Sequence, residues 1–161
     1  MLQDVFLFTG TIADNIRISS DISDEKVGES LALSMADEFV SRLPEGIHSP
    51  VTERGSTFSS GERQLLSFAR AIAHDPAILV LDEATANIDT QTEALIQQSI
   101  ANISQGRTSL FIAHRLSTIA GCDKILVLKG GNIVEQGNHD ELLALGGMYS
   151  RLYNAQFSEN A

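Results

Sequence analysis

Two adjacent carboxylates, Asp82 and Glu83, directly follow the apolar run Ile78–Leu81. A short apolar run rich in β-branched residues is typical of a buried parallel strand, and α/β sheets bind ligands beyond the carboxyl ends of such strands. Carboxylates at that edge can bind Mg²⁺ or serve as a general base. Taken alone, however, two acids after a strand are equally well explained as turn or helix-capping residues.

A second candidate site is the stretch Ser59, Ser60, Gly61 and Glu62, which precedes the acids by about one helix length. Ser59 and Glu62 have the spacing of a capping box, which predicts a helix through about residue 74. The N–H groups and the positive dipole at the start of a helix suit a phosphate, and Gly61 would let it approach closely. The simpler interpretation of this stretch alone is a capped surface helix, because capping boxes are common.

Residues 11 to about 75 carry mainly helical patterns. Thr11 can cap a short helix, and either Ser23 or Asp24 is predicted to precede a second helix, with apolar residues at helical spacing through Phe39. The segment 48–58 lacks periodicity and is predicted to be an irregular loop. A mainly helical region therefore precedes the two acids.

From about residue 76 to residue 157, strand and helix patterns alternate, which predicts an α/β fold. Thr90 and Glu93 form a predicted capping box, and Gly130-Gly131 is predicted to be the turn of a hairpin. The predicted strands are 77–81, 108–113, 124–128 and 132–136.

Composition limits the classes of ligand and partner. The net charge of −10, with eleven basic residues, argues against nucleic acid, which needs clustered Lys and Arg. No apolar run approaches the roughly 20 residues of a membrane-spanning helix. Cys122 is the single cysteine, which excludes an internal disulfide and fits a reducing compartment.

Several motifs occur in the order in which the ATP-binding cassettes of ABC exporters carry them, and the chain resembles that family from Gln3 to about Tyr153. The fold implied is part of a P-loop NTPase, with a helical subdomain (about 11–75) and an incomplete, mostly parallel sheet (about 76–157). The motifs are the Q-loop Gln3, the X-loop Thr52–Gly55, the signature Phe58–Glu62, the Walker B pair Asp82 and Glu83, the D-loop Ala86–Asp89 and the switch histidine His114.

The resemblance implies ATP and Mg²⁺ as cofactors and gives each matched residue a role. Asp82 and Gln3 would hold Mg²⁺ together with ATP, Glu83 would be the general base, and His114 would contact the γ-phosphate. Two cassettes of this family close head to tail, so a second cassette is the expected partner. The residues expected to bind nucleotide in that dimer are Ser59, Ser60, Gly61, Glu62 and the D-loop Asp89.

A transmembrane domain is the other implied partner, which places the chain at the cytoplasmic face of the cell membrane. Gln3, the segment near Phe6–Phe8 and Thr52–Gly55 would face that domain. Multidrug or lipid export is the implied type of transport, whereas the sequence does not name the transported substrate. Three residues depart from the family signature, with Phe58 in place of Leu, Ser60 in place of Gly and Glu62 in place of Gln.

No Gly-x-x-x-x-Gly-Lys-Ser/Thr phosphate loop occurs in the 161 residues, which suggests the C-terminal part of a cassette that is inactive in isolation. A non-enzymatic fragment or interaction module, or a non-transport ABC ATPase, are the alternatives. Family topology also puts a further strand between the strands 108–113 and 124–128, so both are expected to have exposed apolar edges.

Overall fold

The computed structural model describes residues 5–82, 89–112 and 116–158 of the chain. The strands are β1 Gly10–Thr11, β2 Pro50–Val51, β3 Ile78–Asp82, β4 Thr108–Ile112, β5 Ile125–Lys129 and β6 Asn132–Gly137. The helices are α1 Ile12–Arg17, α2 Asp24–Leu33, α3 Asp37–Val40, α4 Ser60–Ala73, α5 Thr90–Ser104, α6 Leu116–Ile119, α7 His139–Leu145 and α8 Met148–Ser158. Strands and helices alternate from β3 onward, as the sequence predicts.

The described strands form three pairs. β3 pairs with β4, and the Thr108 amide donates to the Ala77 carbonyl over 3.3 Å, so the two strands begin side by side. β5 and β6 form an antiparallel hairpin with Ile125 opposite Gly137. These strands confirm the predicted positions and the predicted hairpin at Gly130-Gly131. β1 and β2 form a separate antiparallel pair.

The chain divides into two compact units, Met1–Leu110 and Phe111–Ala161. In the first unit, α4 packs against α1, α2 and α5. Each of these helices buries an apolar face, because its hydrophobic residues recur at helical spacing. The buried residues include Ile12, Ile16, Val27, Leu31, Leu65, Phe68, Ile96 and Ile103. The predicted subdomain boundary near residue 75 stays a prediction.

The second unit has a small core of its own, formed by Ile125, Val127, Leu142 and Tyr149. The Glu135 carboxylate on β6 accepts hydrogen bonds from the first amides of α8, those of Met148 and Tyr149. A carboxylate at a helix N-terminus satisfies unpaired N–H groups and complements the helix dipole. Strand β6 thereby fixes the start of α8, a helix that the sequence patterns did not reveal.

The helix predicted from Asp24 through Phe39 is wrong, because the structure divides it in two. α2 ends at Leu33, and Met35 takes a left-handed conformation with φ of 59°. The Leu31 carbonyl at the end of α2 accepts both the buried Ser34 hydroxyl and the Ala36 amide. The chain therefore turns before α3, although the apolar spacing continues through the break.

Two further predictions need correction. The N-cap of α5 is Asp89 and not Thr90, because the Asp89 Oδ1 accepts the Thr92 amide over 2.9 Å. Aspartate is as good an N-cap as Thr, so the helix begins one residue earlier than the capping-box pattern indicates. The segment 48–58 is irregular as predicted, except for β2 and a 3₁₀ turn at Glu53–Gly55.

Candidate functional site

The start of α4 is a capped helix N-terminus, the kind of structure that can bind an anion. Ser59 is its N-cap, with extended backbone, and the Ser59 Oγ accepts the Glu62 amide over 3.2 Å. The Glu62 Oε2 accepts the Ser59 amide over 2.8 Å, which confirms the predicted capping box. The next amides, those of Ser60 and Gly61, belong to the first turn of the helix, whose N–H groups have no partner within the helix. An anion at this end would meet these N–H groups and the positive dipole.

Glu62 accepts a hydrogen bond within the capping box, which explains why an acidic residue is accommodated at this helix start. One oxygen of its half-buried carboxylate is held by the Ser59 amide. A glutamine in the same position could accept the same hydrogen bond without a charge. The capping box therefore accounts for the orientation of the Glu62 side chain. The negative charge of Glu62 still lowers the attraction of the helix N-terminus for phosphate.

Ser59 keeps a donor for a ligand. A hydroxyl can donate one hydrogen bond while its oxygen accepts others, and the Ser59 Oγ acts as an acceptor inside the cap. The side chain is exposed, so its O–H can reach an anion from solvent. The residue can thus cap α4 and bind a phosphate oxygen at the same time.

Phe58, a departure from the family signature, serves packing. Its ring is 8% exposed and meets Phe39 edge to face, with 6.0 Å between the ring centroids. It also lines a cavity of about 520 Å³ together with Leu43, Pro44, Pro50 and Thr57. The larger ring at this position therefore packs in the wall of this cavity, which Glu62 also lines.

The segment leading to α4 is held by a close approach at Gly55. Gly55 has φ of +64°, and a Cβ added there would lie 2.7 Å from the Leu7 Cδ1 atom. Both the backbone conformation and the lack of space require glycine. On the outer side of this turn the Thr52 and Ser56 hydroxyls are 3.0 Å apart and share a hydrogen bond. The Thr52–Gly55 motif is therefore anchored against the segment that contains Leu7.

Asp82 is the last residue of β3. Leu79 and Leu81 point into the core, and Asp82 follows as an exposed side chain, so the strand ends with its carboxylate in solvent. This is the carboxyl edge at which the sequence places the acids. Glu83, together with Gln3 and His114, lies outside the described residues, and their roles stay predictions.

Asp89 caps α5 in the structure, as described above, and its proposed contact with nucleotide stays a prediction. The residues that the structure brings together are thus Ser59, Ser60, Gly61 and Glu62 at one helix start, whereas Asp82 stands on another element. Among the residues described, no group of three or more His, Cys, Asp or Glu side chains is arranged to hold a metal ion. The helices of the described ranges also include none long and apolar enough to cross a membrane.

Sequence reasoning gave no role to Arg70 and Asn15, which the structure joins. The Arg70 Nη2 donates to the Asn15 Oδ1 over 3.0 Å, although 55 residues separate the two in the chain. No local pattern reports a contact at that separation. Only the residue types could have indicated this contact. An Arg or an Asn on an otherwise apolar helix face needs a hydrogen-bond partner when it is buried.

Comparison with known proteins agrees with the fold and identifies the family. The family model described as "ABC transporter" matches residues 1–86. The Bacillus subtilis protein named "Probable multidrug resistance ABC transporter ATP-binding/permease protein YheH" is 55% identical over 157 residues, which are 97% of this chain and 23% of YheH. The "ATP-dependent lipid A-core flippase" of Bordetella avium is 47% identical over 98% of this chain and 27% of its own length.

A solved structure gives the same result in three dimensions. The chain matches the "Structure of a bacterial Atm1-family ABC exporter with ATP bound" with a TM-score of 0.84 and 41% sequence identity, over 96% of this chain and 27% of that one. The chain therefore belongs to the ABC transporter family and has the fold of part of an exporter's ATP-binding domain. It spans about a quarter of the length of the relatives that it matches.

Proposed function

We propose that this chain is part of the ATP-binding domain of an ABC exporter and couples ATP binding and hydrolysis to transport across a membrane. The capped start of α4, at the position of the family signature, is the observation that carries the proposal. Relatives named as ATP-binding/permease protein and as ATP-dependent flippase support both halves of the function.

The residues at the start of α4 fit a nucleotide phosphate bound by a second cassette. Ser59 would donate its hydroxyl hydrogen, and the Ser60 and Gly61 amides would donate from the first turn. Glu62 would hold Ser59 in place through the capping box. The chain would thereby supply half of each composite site in a head-to-tail pair of cassettes.

Asp82 fits the role of an oxygen ligand for Mg²⁺, because its carboxylate is exposed at the end of β3. When bound with ATP, Mg²⁺ would neutralise charge on the phosphates. Glu83 would accept the proton of the attacking water, and His114 would hold the γ-phosphate. Gln3 would contribute to the same magnesium site, and Asp89 would lie at the interface between the cassettes.

The partners follow from the same assignment. A transmembrane domain would hold the chain at the cytoplasmic face of the cell membrane, and the segments around Phe6–Phe8 and Thr52–Gly55 would contact it. Phe6 and Phe8 are 49% and 52% exposed, which suits a contact surface. Movement of the paired cassettes on ATP binding would then be passed to the transport path.

The direct test is Glu83→Gln in the full-length transporter. Loss of the general base should slow ATP hydrolysis by about 10²–10⁴-fold while ATP binding persists, because the side chain keeps its shape. Glu25→Gln, the same change on the exposed surface of α2, is the matched control and should hydrolyse ATP at the parent rate. Parent-like hydrolysis by Glu83→Gln would contradict the assignment of the base.

The 161-residue chain alone should not bind MgATP at micromolar concentration. Its sequence contains no phosphate loop, and each missing charge-assisted hydrogen bond removes about 1.5–3 kcal/mol of binding free energy. Calorimetric titration of the isolated chain with MgATP checks this expectation. A saturable micromolar site with hydrolysis that depends on Glu83 would show that the chain is an ATPase by itself.

A further inference from the structure

The last turns of α4 carry an arginine that contacts both α1 and the residues before it. The Arg70 Nε donates to the Asn15 carbonyl over 2.8 Å, and its Nη2 donates to the Asn15 Oδ1 over 3.0 Å. Its Nη1 donates to the Phe6 carbonyl over 3.0 Å. The guanidinium carbon also lies 5.6 Å from the centroid of the Phe8 ring, within the range of a cation–π contact. One side chain thus binds both ends of the segment 6–15.

Asn15 completes the connection, because every hydrogen-bonding position of its side chain is occupied. Its Oδ1 accepts the Phe8 amide over 2.8 Å as well as the Arg70 guanidinium. Its Nδ2 donates to the carbonyls of Phe8 and Thr11, over 2.8 and 3.0 Å. The side chain is almost fully buried, at 2% exposure. A saturated, buried amide of this kind fixes the backbone on both sides of Phe8.

The rings attached to this rigid backbone face outward. Phe6 and Phe8 are about half exposed and pack edge to face, with 5.1 Å between their centroids. Leu7, between them, is fully buried. An exposed aromatic pair on a fixed backbone can bind a partner at little cost in conformational entropy. We call Phe6 and Phe8 the aromatic pair.

An arginine suits this position better than a lysine. The partners described for Arg70 are two carbonyls, an amide oxygen and a ring, all without charge. A planar fork with five donors can bind three acceptors in fixed directions and lie against an aromatic face, whereas an ammonium group is a single point charge. Burial lowers the pKa of the Arg70 guanidinium from its ordinary value, and an arginine still keeps its charge.

The same helix joins the aromatic pair to the anion site. Arg70 lies eleven residues after Ser59, which is about 16 Å along the helix axis. We propose that Arg70 is a positioning residue that fixes the aromatic pair to α4, so that the phosphate-binding end of the helix and the aromatic pair move as one body. This proposal rests on the proposed function, in which the aromatic pair docks on the transmembrane domain.

The first experiment uses the full-length transporter without any other substitution, in lipid vesicles. Phe8 is replaced by 4-fluorophenylalanine as a label. Addition of a non-hydrolysable ATP analogue with Mg²⁺ should shift the fluorine resonance of Phe8 and change amide exchange in α4 and in residues 5–16 together. A response in α4 without any response at Phe8 would overturn the proposal. Failure of the analogue to bind at all would instead contradict the proposed function.

The second experiment compares Arg70→Lys with Arg42→Lys, an exposed arginine on the same unit whose ion pair with Glu38 is at the surface. Arg70→Lys should bind the analogue with parent affinity but lose the shift at Phe8. Exchange in residues 5–16 should become roughly ten- to a hundredfold faster, as expected from the loss of a charge-assisted hydrogen bond. Arg42→Lys should behave as the parent.

A purely structural role for Arg70 gives a different result. Arg70→Lys would then raise exchange throughout α1 and α2, while the nucleotide-dependent shift at Phe8 would persist, and this outcome would overturn the proposal. If Arg70→Lys does not fold, Asn15→Leu takes its place, because it keeps the branched shape of the side chain but offers no acceptor to the Arg70 Nη2. A parent-like shift in Asn15→Leu would equally refute the connection.

Discussion

The helices around α4 and the strands β3 to β6 differ in how much apolar surface they cover within this chain. Along α4 the large apolar residues Leu65, Leu66, Phe68 and Ile72 are all buried. Along the strands, alternate apolar residues stand in solvent, with Ile78 65% and Leu128 63% exposed. The other exposed residues of these strands are Val80, Leu110, Ile112, Leu126, Ile133 and Val134.

This difference shows which apolar surfaces are covered within the described residues. The apolar face of α4 is covered by α1, α2 and α5 within the first unit. A sheet of the α/β type is normally covered on both faces, whereas these strands leave apolar side chains exposed within the described residues. Within the described residues β4 pairs with β3 and β5 with β6, and the further strand expected between residues 108–113 and 124–128 stays a prediction.

The largest expected effect tests the helical side of this comparison. Phe68→Ala should lower the free energy of unfolding of the isolated chain by about 3–5 kcal/mol, because it opens a cavity beside a residue that is 2% exposed. Leu110→Ala, at 53% exposure on β4, should change it by less than about 0.5 kcal/mol. Urea titration of both variants measures the difference, and equal losses would show that the strands are covered after all.

The next expected effect concerns the strands. The isolated chain should self-associate, because exposed apolar strands with unpaired N–H and C=O groups pair with other chains. Replacing Ile112 and Leu128 together by Lys should shift the population towards monomer, since charged side chains on an edge oppose such pairing. Light scattering coupled to size-exclusion chromatography decides the matter. A compact parent monomer that unfolds cooperatively would contradict the comparison.

A smaller effect is expected from two helix caps. Ser59 caps α4 in the first unit, and Asn138 caps α7 in the second. Ser59→Ala and Asn138→Ala should each cost about 1 kcal/mol of stability, because each removes the side-chain acceptor of a capping box. In the full-length transporter only Ser59→Ala should also weaken binding of an ATP analogue. Equal effects on nucleotide affinity would mean that Ser59 acts only as a cap.

The smallest effect depends on pH and belongs to the second unit. Hydrogen bonds from the Tyr149 and Met148 amides lower the pKa of Glu135 below its ordinary value of 4.5. The ionised carboxylate therefore stabilises the fold above that value, and the contribution is lost as pH falls through the lowered pKa. Glu135→Gln should be less stable than the parent at pH 7, and the difference in urea midpoint should shrink below about pH 4.5. A difference independent of pH would refute this account.

The sequence predicted those features that rest on local chemistry. The cap at Ser59, the strands and the Gly130-Gly131 hairpin follow from residue types a few positions apart, and the structure has all of them. The break at Met35 was not predicted, since the apolar spacing runs across it without a Gly or Pro. The start of α5 was misplaced because Asp89 and Thr90 are both good caps.

Long-range contacts set the limit for the candidate site. The segment 6–15 offers aromatic and polar residues, yet only the fold shows that Arg70 binds its carbonyls. A guanidinium that binds neutral acceptors leaves no charge pattern in the sequence, whereas an ion pair such as Arg42 with Glu38 can be recognised from its spacing. The signature residues could be recognised from the sequence, but the hydrogen bonds that join their helix to the segment 6–15 could not.

The neutral partners of Arg70 have a consequence for ionic strength. Mobile ions screen exposed ion pairs over about 10 Å at 0.1 M salt, so the contact between Arg42 and Glu38 weakens as salt is added. The Arg70 guanidinium is instead held by short, partly buried hydrogen bonds to carbonyl and amide dipoles. Screening acts weakly on such bonds, so the orientation of Phe6 and Phe8 should be the same in dilute buffer and in concentrated electrolyte.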